Sequence, residues 1–283
     1  MPATLLEGRP IALEIREEVK QRAQALRGRS IVPKCAVVVV DGDGPGLLYA
    51  QTARRIGADV GVEIEIVPVG ASADTSGALA IVHRLVDEPT IHGLLIQRPL
   101  PVQLDEQRIV EAIDPRKDVD AAHPFNQGLL ASGKASTAPA TALAVLEILR
   151  RPSLPPLRGA RVAVIGRSAV VGRPAAALLT AADATVVLCH SRTKDIGAIT
   201  LGAEIIVVAV GKPGFLKGEM VAPGTVVVDV GTTVVDGRLV GDVETQSVSA
   251  VAGVLTPVPG GVGPVTTAVL LRSIVSAAEN LHR

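Results

Sequence analysis

The stretch Arg161–Pro174, reading RVAVIGRSAVVGRP, constrains the fold of this chain more than any other. A short apolar run, Val162–Ile165, stops at Gly166, and a second glycine, Gly172, precedes Pro174 and an alanine-rich segment. That order spells strand, tight turn, helix. The run has the length of a buried parallel strand. Glycine lets backbone approach a ligand closely, and proline suits the first turn of a helix. A helix N-terminus facing the carboxyl end of a parallel strand attracts anions through its free N–H groups and its dipole. The spacing is not G-x-G-x-x-G, so the stretch alone predicts a phosphate-cradling turn without naming the ligand.

Composition narrows the architecture. The chain has 283 residues, of which 48% are hydrophobic and only 1% aromatic, so its core must be built from Val, Ile, Leu and Ala. That is the diet of helices packed on parallel strands. The formal net charge is zero, which gives no electrostatic footprint for nucleic acid or an anionic membrane surface. No apolar run of membrane-spanning length and no leader is found, and a cytoplasmic location is expected. Cys35 and Cys189 lie in apolar strand-like runs without paired spacing, which predicts buried free thiols. His83, His92 and His123 lack ligand spacing, so no metal site is expected.

Read in order, the chain alternates. Arg9–Leu26 has helical spacing through Ile11, Ile15, Val19, Ala23 and Leu26. Strands are expected at Cys35–Val40, Glu63–Val69 and His92–Gln97, with helices over Leu48–Val60, from Asp74 or Thr75 to Val86, and over Leu104–Ile113. Asp41–Gly46 (DGDGPG) reads as a turn and Asp114–Gly133 as a polar segment. A helix around Ala142–Leu149 and the proline-rich Pro152–Arg158 lead into a second alternating region. Strands are expected there at Val162–Ile165, Thr185–Cys189, Ile205–Val210 and Thr225–Val230, with a hairpin turn at Asp236-Gly237. The breaker-dense loop Thr256–Pro264 (TPVPGGVGP) precedes a helical pattern over Val265–Leu281. The expected fold class is α/β: two lobes, the second of Rossmann type.

The end of the second strand of a Rossmann βαβ unit meets the adenosine ribose, where a carboxylate selects NAD and basic or hydroxyl groups accept a 2′-phosphate. Here that strand ends in His190-Ser191-Arg192-Thr193, with no carboxylate. With Arg167 in the first turn, two guanidiniums and two hydroxyls fall where a phosphate would lie, which favours NADP. Any one of these residues taken singly reads more readily as ordinary solvated loop; their joint position at two successive strand ends is what favours NADP. Val210–Pro213 and Val230–Thr232 add further glycine turns at strand ends.

In this order, GRSAVVGRP, TVVLCHSRT, VVAVGKP, VVVDVG, LVGDV and TPVPGGVGP resemble the FolD-type family of methylenetetrahydrofolate dehydrogenase/cyclohydrolases. The first lobe matches too: QRPLP at Gln97–Pro101 resembles the family's Q-L-P-L-P, and PRKDVD at Pro115–Asp120 resembles its P-x-K-D-V-D-G. HPFNQG at His123–Gly128 and the turn before Tyr49 fit as well. The resemblance implies a folate-binding domain over residues 1–139, with 265–283 packing back on it, and an NADP-binding domain over 140–264. It implies folate between the lobes and a homodimer. Gly166, Arg167, Ser168, Ser191, Arg192 and Thr232 would contact NADP. Asp120 would hold the pterin's N–H groups, Tyr49 would stack on the folate, and Gln97 would lie beside the reacting carbon. The loop containing Pro259, Gly260 and Gly261 would close over substrate.

One departure decides the expected activity. In the resembled family a lysine four positions after the tyrosine acts as acid/base in the cyclohydrolase step, whereas this chain has Ala53 there and no lysine between Lys34 and Lys117. Arg54 lies about 100° away on a helix and is a poor general base. Gly46 or Leu47 stands where a serine is usual, Ala121 replaces the glycine after Asp120, and Pro139-Ala140-Thr141 replaces P-C-T. Oxidation of 5,10-methylenetetrahydrofolate is therefore expected, with hydrolysis of the methenyl product in doubt. Three alternatives stay open: a fully bifunctional enzyme, an NADP-dependent oxidoreductase acting on a carbonyl substrate, and a non-catalytic folate- and NADP-binding paralogue.

Overall fold

The computed structural model describes residues 2–283 and divides into two compact units. One comprises Glu14–Leu129, Ala135–Ala138 and Ala268–Arg283; the other comprises the chain up to Leu13, Leu130–Lys134 and Pro139–Thr267. The C-terminal residues thus belong with the amino-terminal α/β region.

Strand β1 (Thr4–Leu5) leads to helix α1 (Gly8–Arg27), where Ile11, Ile15, Val19, Ala23 and Leu26 are all buried, as their spacing predicts. Then follow β2 (Lys34–Val40), α2 (Gly44–Val60), β3 (Glu63–Val69), α3 (Thr75–Asp87), β4 (Gly93–Ile96), α4 (Glu106–Glu111) and α5 (Pro124–Ala131). The three strands form a parallel sheet in the order β3-β2-β4. Helix α2 starts four residues before the expected Leu48. The Asp43 carboxylate accepts from the Gly46 N–H at 2.9 Å, and proline occupies the first turn, so the DGDGPG string is a helix start. Helix α5 also corrects the polar-segment expectation for Asp114–Gly133. One core of aliphatic residues, including Val38, Val82, Leu85, Leu94 and Ile109, fills this unit.

The rest of the chain runs through α6 (Ala140–Leu149), β5 (Arg161–Ile165), α7 (Gly172–Ala181), β6 (Thr185–Cys189), α8 (Ile196–Leu201) and β7 (Ile205–Val208). It continues with β8 (Val226–Asp229), the antiparallel hairpin β9 (Thr233–Val235) and β10 (Arg238–Val240), α9 (Thr245–Ser249), β11 (Val254–Leu255) and α10 (Val262–Leu281). Six strands pair in parallel in the order β1-β11-β8-β7-β5-β6. From β5 the chain moves to β6 on one side and then crosses back to β7 on the other. That reversal creates a topological switch point beside β5, the place where doubly wound sheets bind ligands. The Asp236-Gly237 turn has φ of 49° and 74°, the left-handed pair a tight hairpin needs. Cys35 and Cys189 are buried and free. Tyr49 and Phe215 are partly buried and Phe125 lies exposed, so the core is aliphatic throughout, as the composition requires.

Candidate active site

In the Rossmann-type unit, the turn after β5 is shaped by two glycines. Gly166 has φ of 118°, and a Cβ there would collide with the Ala209 carbonyl; a Cβ on Gly172 would collide with the carbonyl of Gly166. The turn therefore tolerates no side chain at either place, which is the packing a close backbone cradle demands. Ser168 accepts from the N–H groups of Val171 at 3.1 Å and Gly172 at 3.4 Å, so its hydroxyl caps α7. Arg167, Ser191 and Arg192 are exposed at the ends of β5 and β6, which are adjacent strands. Their turn is ordered locally: Thr193 Oγ1 accepts from the His190 N–H at 2.9 Å, and His190 Nδ1 accepts from the Arg192 N–H at 3.1 Å. Thr232 is exposed just beyond β8. Pro259 follows a cis peptide, Gly260 has φ of 109° and accepts from the Gly8 N–H, and Gly261 is buried just before α10.

Two buried carboxylates hold the next turns in place. Asp242 accepts from the N–H groups of Val210 at 2.6 Å, Gly211 at 2.9 Å and Lys212 at 2.7 Å, which fixes the glycine turn after β7. Asp229, at the end of β8, accepts from Gly231, Asp242 and Val243 at 2.9, 2.9 and 3.0 Å. Burial pushes the Asp229 carboxyl up to about 6, although its three N–H donors pull the other way. The strings VVVDVG and LVGDV contain these two aspartates, whose role the letters alone do not reveal. An acidic residue closing an otherwise apolar strand is the available signal for Asp229.

In the other unit, β2 is central and its neighbours β3 and β4 lie on opposite sides, so a second switch point falls at the carboxyl ends of β2 and β4. Tyr49, Gln97 and Asp120 belong to the segments that meet there. Tyr49 lies on α2, directly after β2, and Gln97 directly follows β4. The backbone of Leu94 bridges in parallel to Asp118, which extends the sheet and places Asp120 just past its edge. Burial raises the Tyr49 phenol well above its ordinary range, and the Asp120 charge adds to the effect. Arg98 Nη2 lies 3.6 Å from Asp120 Oδ2. Ala53 is fully buried one helical turn after Tyr49 and offers no ionisable group.

The DVD string separates into two tasks. Asp118 accepts from the Ala122 and His123 N–H groups and from Asn126 Nδ2 at 3.0, 2.9 and 2.8 Å, so it is a scaffold carboxylate. Lys117 donates to the carbonyls of Val86 and Glu88 at 2.7 and 2.8 Å. Asp120 lies past the sheet end, paired with Arg98. Ala121 holds φ of 46°, a left-handed conformation that costs a residue with a Cβ about 1–2 kcal/mol.

The family model for the tetrahydrofolate dehydrogenase/cyclohydrolase catalytic domain matches residues 6–120, and that for the NAD(P)-binding domain matches residues 139–282. The chain belongs to the tetrahydrofolate dehydrogenase/cyclohydrolase family. It is 42% identical over 283 residues to the bifunctional protein FolD of Macrococcus caseolyticus, with the whole of both chains covered. The FolD of a Parafrankia species is 47% identical over 274 residues, covering 97% of this chain and 98% of the relative. Among solved structures, the Campylobacter jejuni bifunctional FolD superposes with a TM-score of 0.95 at 37% identity, covering 98% of this chain and 99% of the other. The Trypanosoma brucei dehydrogenase-cyclohydrolase, solved with NADP cofactor and an inhibitor, gives 0.95 at 34% identity over 100% of this chain and 99% of the other. Membership in the tetrahydrofolate dehydrogenase/cyclohydrolase family matches the resemblance drawn from the ordered motifs. Among the described residues no group of three or more His, Cys, Asp or Glu is placed to hold a metal ion, and no helix is long and apolar enough to cross a membrane.

Proposed function

We propose that this chain oxidises 5,10-methylenetetrahydrofolate to 5,10-methenyltetrahydrofolate with NADP, and that it hydrolyses the methenyl product to 10-formyltetrahydrofolate weakly or not at all. The single observation behind the second half is Ala53: a buried methyl group stands one turn from Tyr49, where the family's acid/base is a lysine. The first half is supported by family membership and by the glycine cradle after β5, whose collisions with any Cβ fit a pyrophosphate held against bare backbone. Gly166 and the N-terminus of α7 would hold the pyrophosphate. Arg167, Ser191 and Arg192 would hold the 2′-phosphate, with Ser168 ordering the turn and Thr232 meeting the nicotinamide half. The bound nicotinamide would supply the hydride acceptor.

On the folate side, Asp120 would accept two charge-assisted hydrogen bonds from the pterin N–H groups. Tyr49 would lie along the ring; its phenol, pushed up by burial, stays protonated and serves packing and hydrogen bonding, not proton abstraction. Gln97 would present its amide to the reacting region, and the segment Pro259–Gly261 would contact substrate. Oxidation of the methylene carbon leaves a delocalised amidinium and moves no proton, so orientation is its main demand. Hydrolysis needs an activated water and a proton for the departing ring nitrogen, and loss of a general acid/base costs about 10²–10⁴-fold. The working form is proposed to be a cytoplasmic homodimer. Mixing the protein with methylenetetrahydrofolate and NADP and following the methenyl absorbance tests the reading. Methenyl product is expected to accumulate and persist; rapid decay to the formyl compound would overturn the proposal for hydrolysis, and no formation at all would overturn the proposal for oxidation.

A further inference from the structure

Gln97 and Arg98 follow the last residue of β4, and each carries a buried side-chain nitrogen without a hydrogen-bond partner, Nε2 in Gln97 and Nη2 in Arg98. Leaving a guanidinium N–H buried and unpaired is costly, and such groups call for a functional explanation. The Arg98 side chain is 12% exposed, and the Asp120 side chain facing it at 3.6 Å is 15% exposed. On its other edge Arg98 Nη1 lies 3.7 Å from Oε1 of the half-exposed Glu106. Both separations are too long for hydrogen bonds; between the two largely buried groups Arg98 and Asp120 the charges still couple, whereas the half-exposed Glu106 is screened by water. Arg98 stands where the resembled Q-L-P-L-P string has leucine.

We propose that Arg98 is a positioning residue that holds Asp120 in place and offsets its charge, so that the site favours a neutral reduced pterin over the cationic ring formed by its oxidation. The inference rests on the folate reading of this site. Hydride loss from the methylene carbon leaves one positive charge spread over the N–C–N unit of the product. A carboxylate standing alone would retain that cation by Coulomb attraction. A fixed guanidinium beside the carboxylate removes most of this attraction, while a carboxylate oxygen still accepts from neutral N–H groups. Arg98 thereby aids product release.

Calorimetric titration of the whole protein with tetrahydrofolate, whose ring is neutral, and with 5,10-methenyltetrahydrofolate, whose ring is cationic, tests this without any cofactor. In Arg98→Leu the ratio of the two affinities is expected to move toward the cation by roughly threefold to tenfold. Arg98→Lys, which keeps the charge, is expected to restore the wild-type ratio. A purely structural role would weaken both ligands in the same proportion, and an unchanged ratio in Arg98→Leu overturns the proposal. Should that variant not fold, Arg98→Gln keeps a planar polar head without charge and gives the same readout. Wild-type protein that binds neither compound overturns the folate reading and this inference with it. Binding of both with a ratio indifferent to position 98 overturns this inference alone.

Discussion

Oδ1 of Asp229 accepts a hydrogen bond from the backbone N–H of Asp242 at 2.9 Å, so one buried carboxylate positions a second, and the second fixes the turn after β7. The first prediction concerns the pH dependence of this relay. Burial raises the folded Asp229 carboxyl from its ordinary 3.8 to about 6, so the folded state holds that proton more tightly than the unfolded chain. Its contribution to stability is complete below about 3.8 and is lost as pH rises through about 6. The difference amounts to about 3 kcal/mol at about 1.36 kcal/mol per pKa unit. Asp229→Asn cannot titrate, and its amide N–H faces the N–H of Val243, which costs about 1–3 kcal/mol. Urea unfolding of both proteins at pH 4.5 and 7 is expected to show the wild type gaining stability relative to the variant at the lower pH. Parallel profiles would sink the idea.

The elements legible in the sequence are those whose cause is local. Thr185–Cys189 and the Asp236-Gly237 hairpin were readable because apolar run and turn chemistry sit in adjacent residues. Strands β1 and β11, two residues each, exist only through pairing with each other and with β8, and nothing local marks them. Helix α5 is short and leaves Phe125 exposed; its order comes from Asn126 bonding Pro115 and Asp118 across the loop. The site divides in the same way. Gly166 and Gly172 announce a cradle by type and spacing. By contrast Asp118 and Asp120 are indistinguishable as letters, and only the bridge to Leu94 shows which is scaffold. Arg98 read merely as part of a breaker string.

A second prediction concerns the histidine pair near the C-terminus of α10. His92 Nε2 lies 3.0 Å from His282 Nε2, while His92 Nδ1 accepts from the Lys34 N–H at 3.2 Å. Burial lowers the His92 pKa, and the charges of His282 and Lys117 lower it further. The folded state therefore binds fewer protons here than the unfolded chain. This stability is complete above the ordinary value of 6.5 and is lost as pH falls through the folded value. In an NMR titration the His92 ring is expected to have its midpoint below 6.5, and His282→Asn is expected to raise it part of the way back. An unmoved midpoint would remove His282 from the account.

Cofactor choice supplies a third. If Arg167 and Arg192 grip a 2′-phosphate from the ends of β5 and β6, loss of either guanidinium must weaken NADP far more than NAD. A hydrogen bond to a charged group contributes about 1.5–3 kcal/mol, so Arg167→Ala is expected to cost roughly tenfold to hundredfold in kcat/KM with NADP. The rate with NAD should change little, since Arg167 is exposed and supports no part of the core. Steady-state assays with both nucleotides decide it; equal losses would assign Arg167 to the pyrophosphate instead.

The last prediction returns chemistry to the buried methyl group on α2. Ala53 and Tyr49 are four residues apart and so share one face of the helix. A lysine introduced by Ala53→Lys would start from that face, and its flexible stem would carry the ammonium beyond the tightly packed backbone. Burying the stem and charge costs stability, so the variant is expected to melt below the wild type. Its ammonium, desolvated near the ring, would have the lowered pKa that suits an acid/base near neutrality. Hydrolysis of added methenyltetrahydrofolate, followed by loss of absorbance, should then rise at least about tenfold, a fraction of what a well-placed acid/base supplies. The oxidation rate should stay within a small factor of the wild type, because that step moves no proton. A folded Ala53→Lys protein with unchanged hydrolysis would show that the rest of the site no longer accommodates the cyclohydrolase reaction.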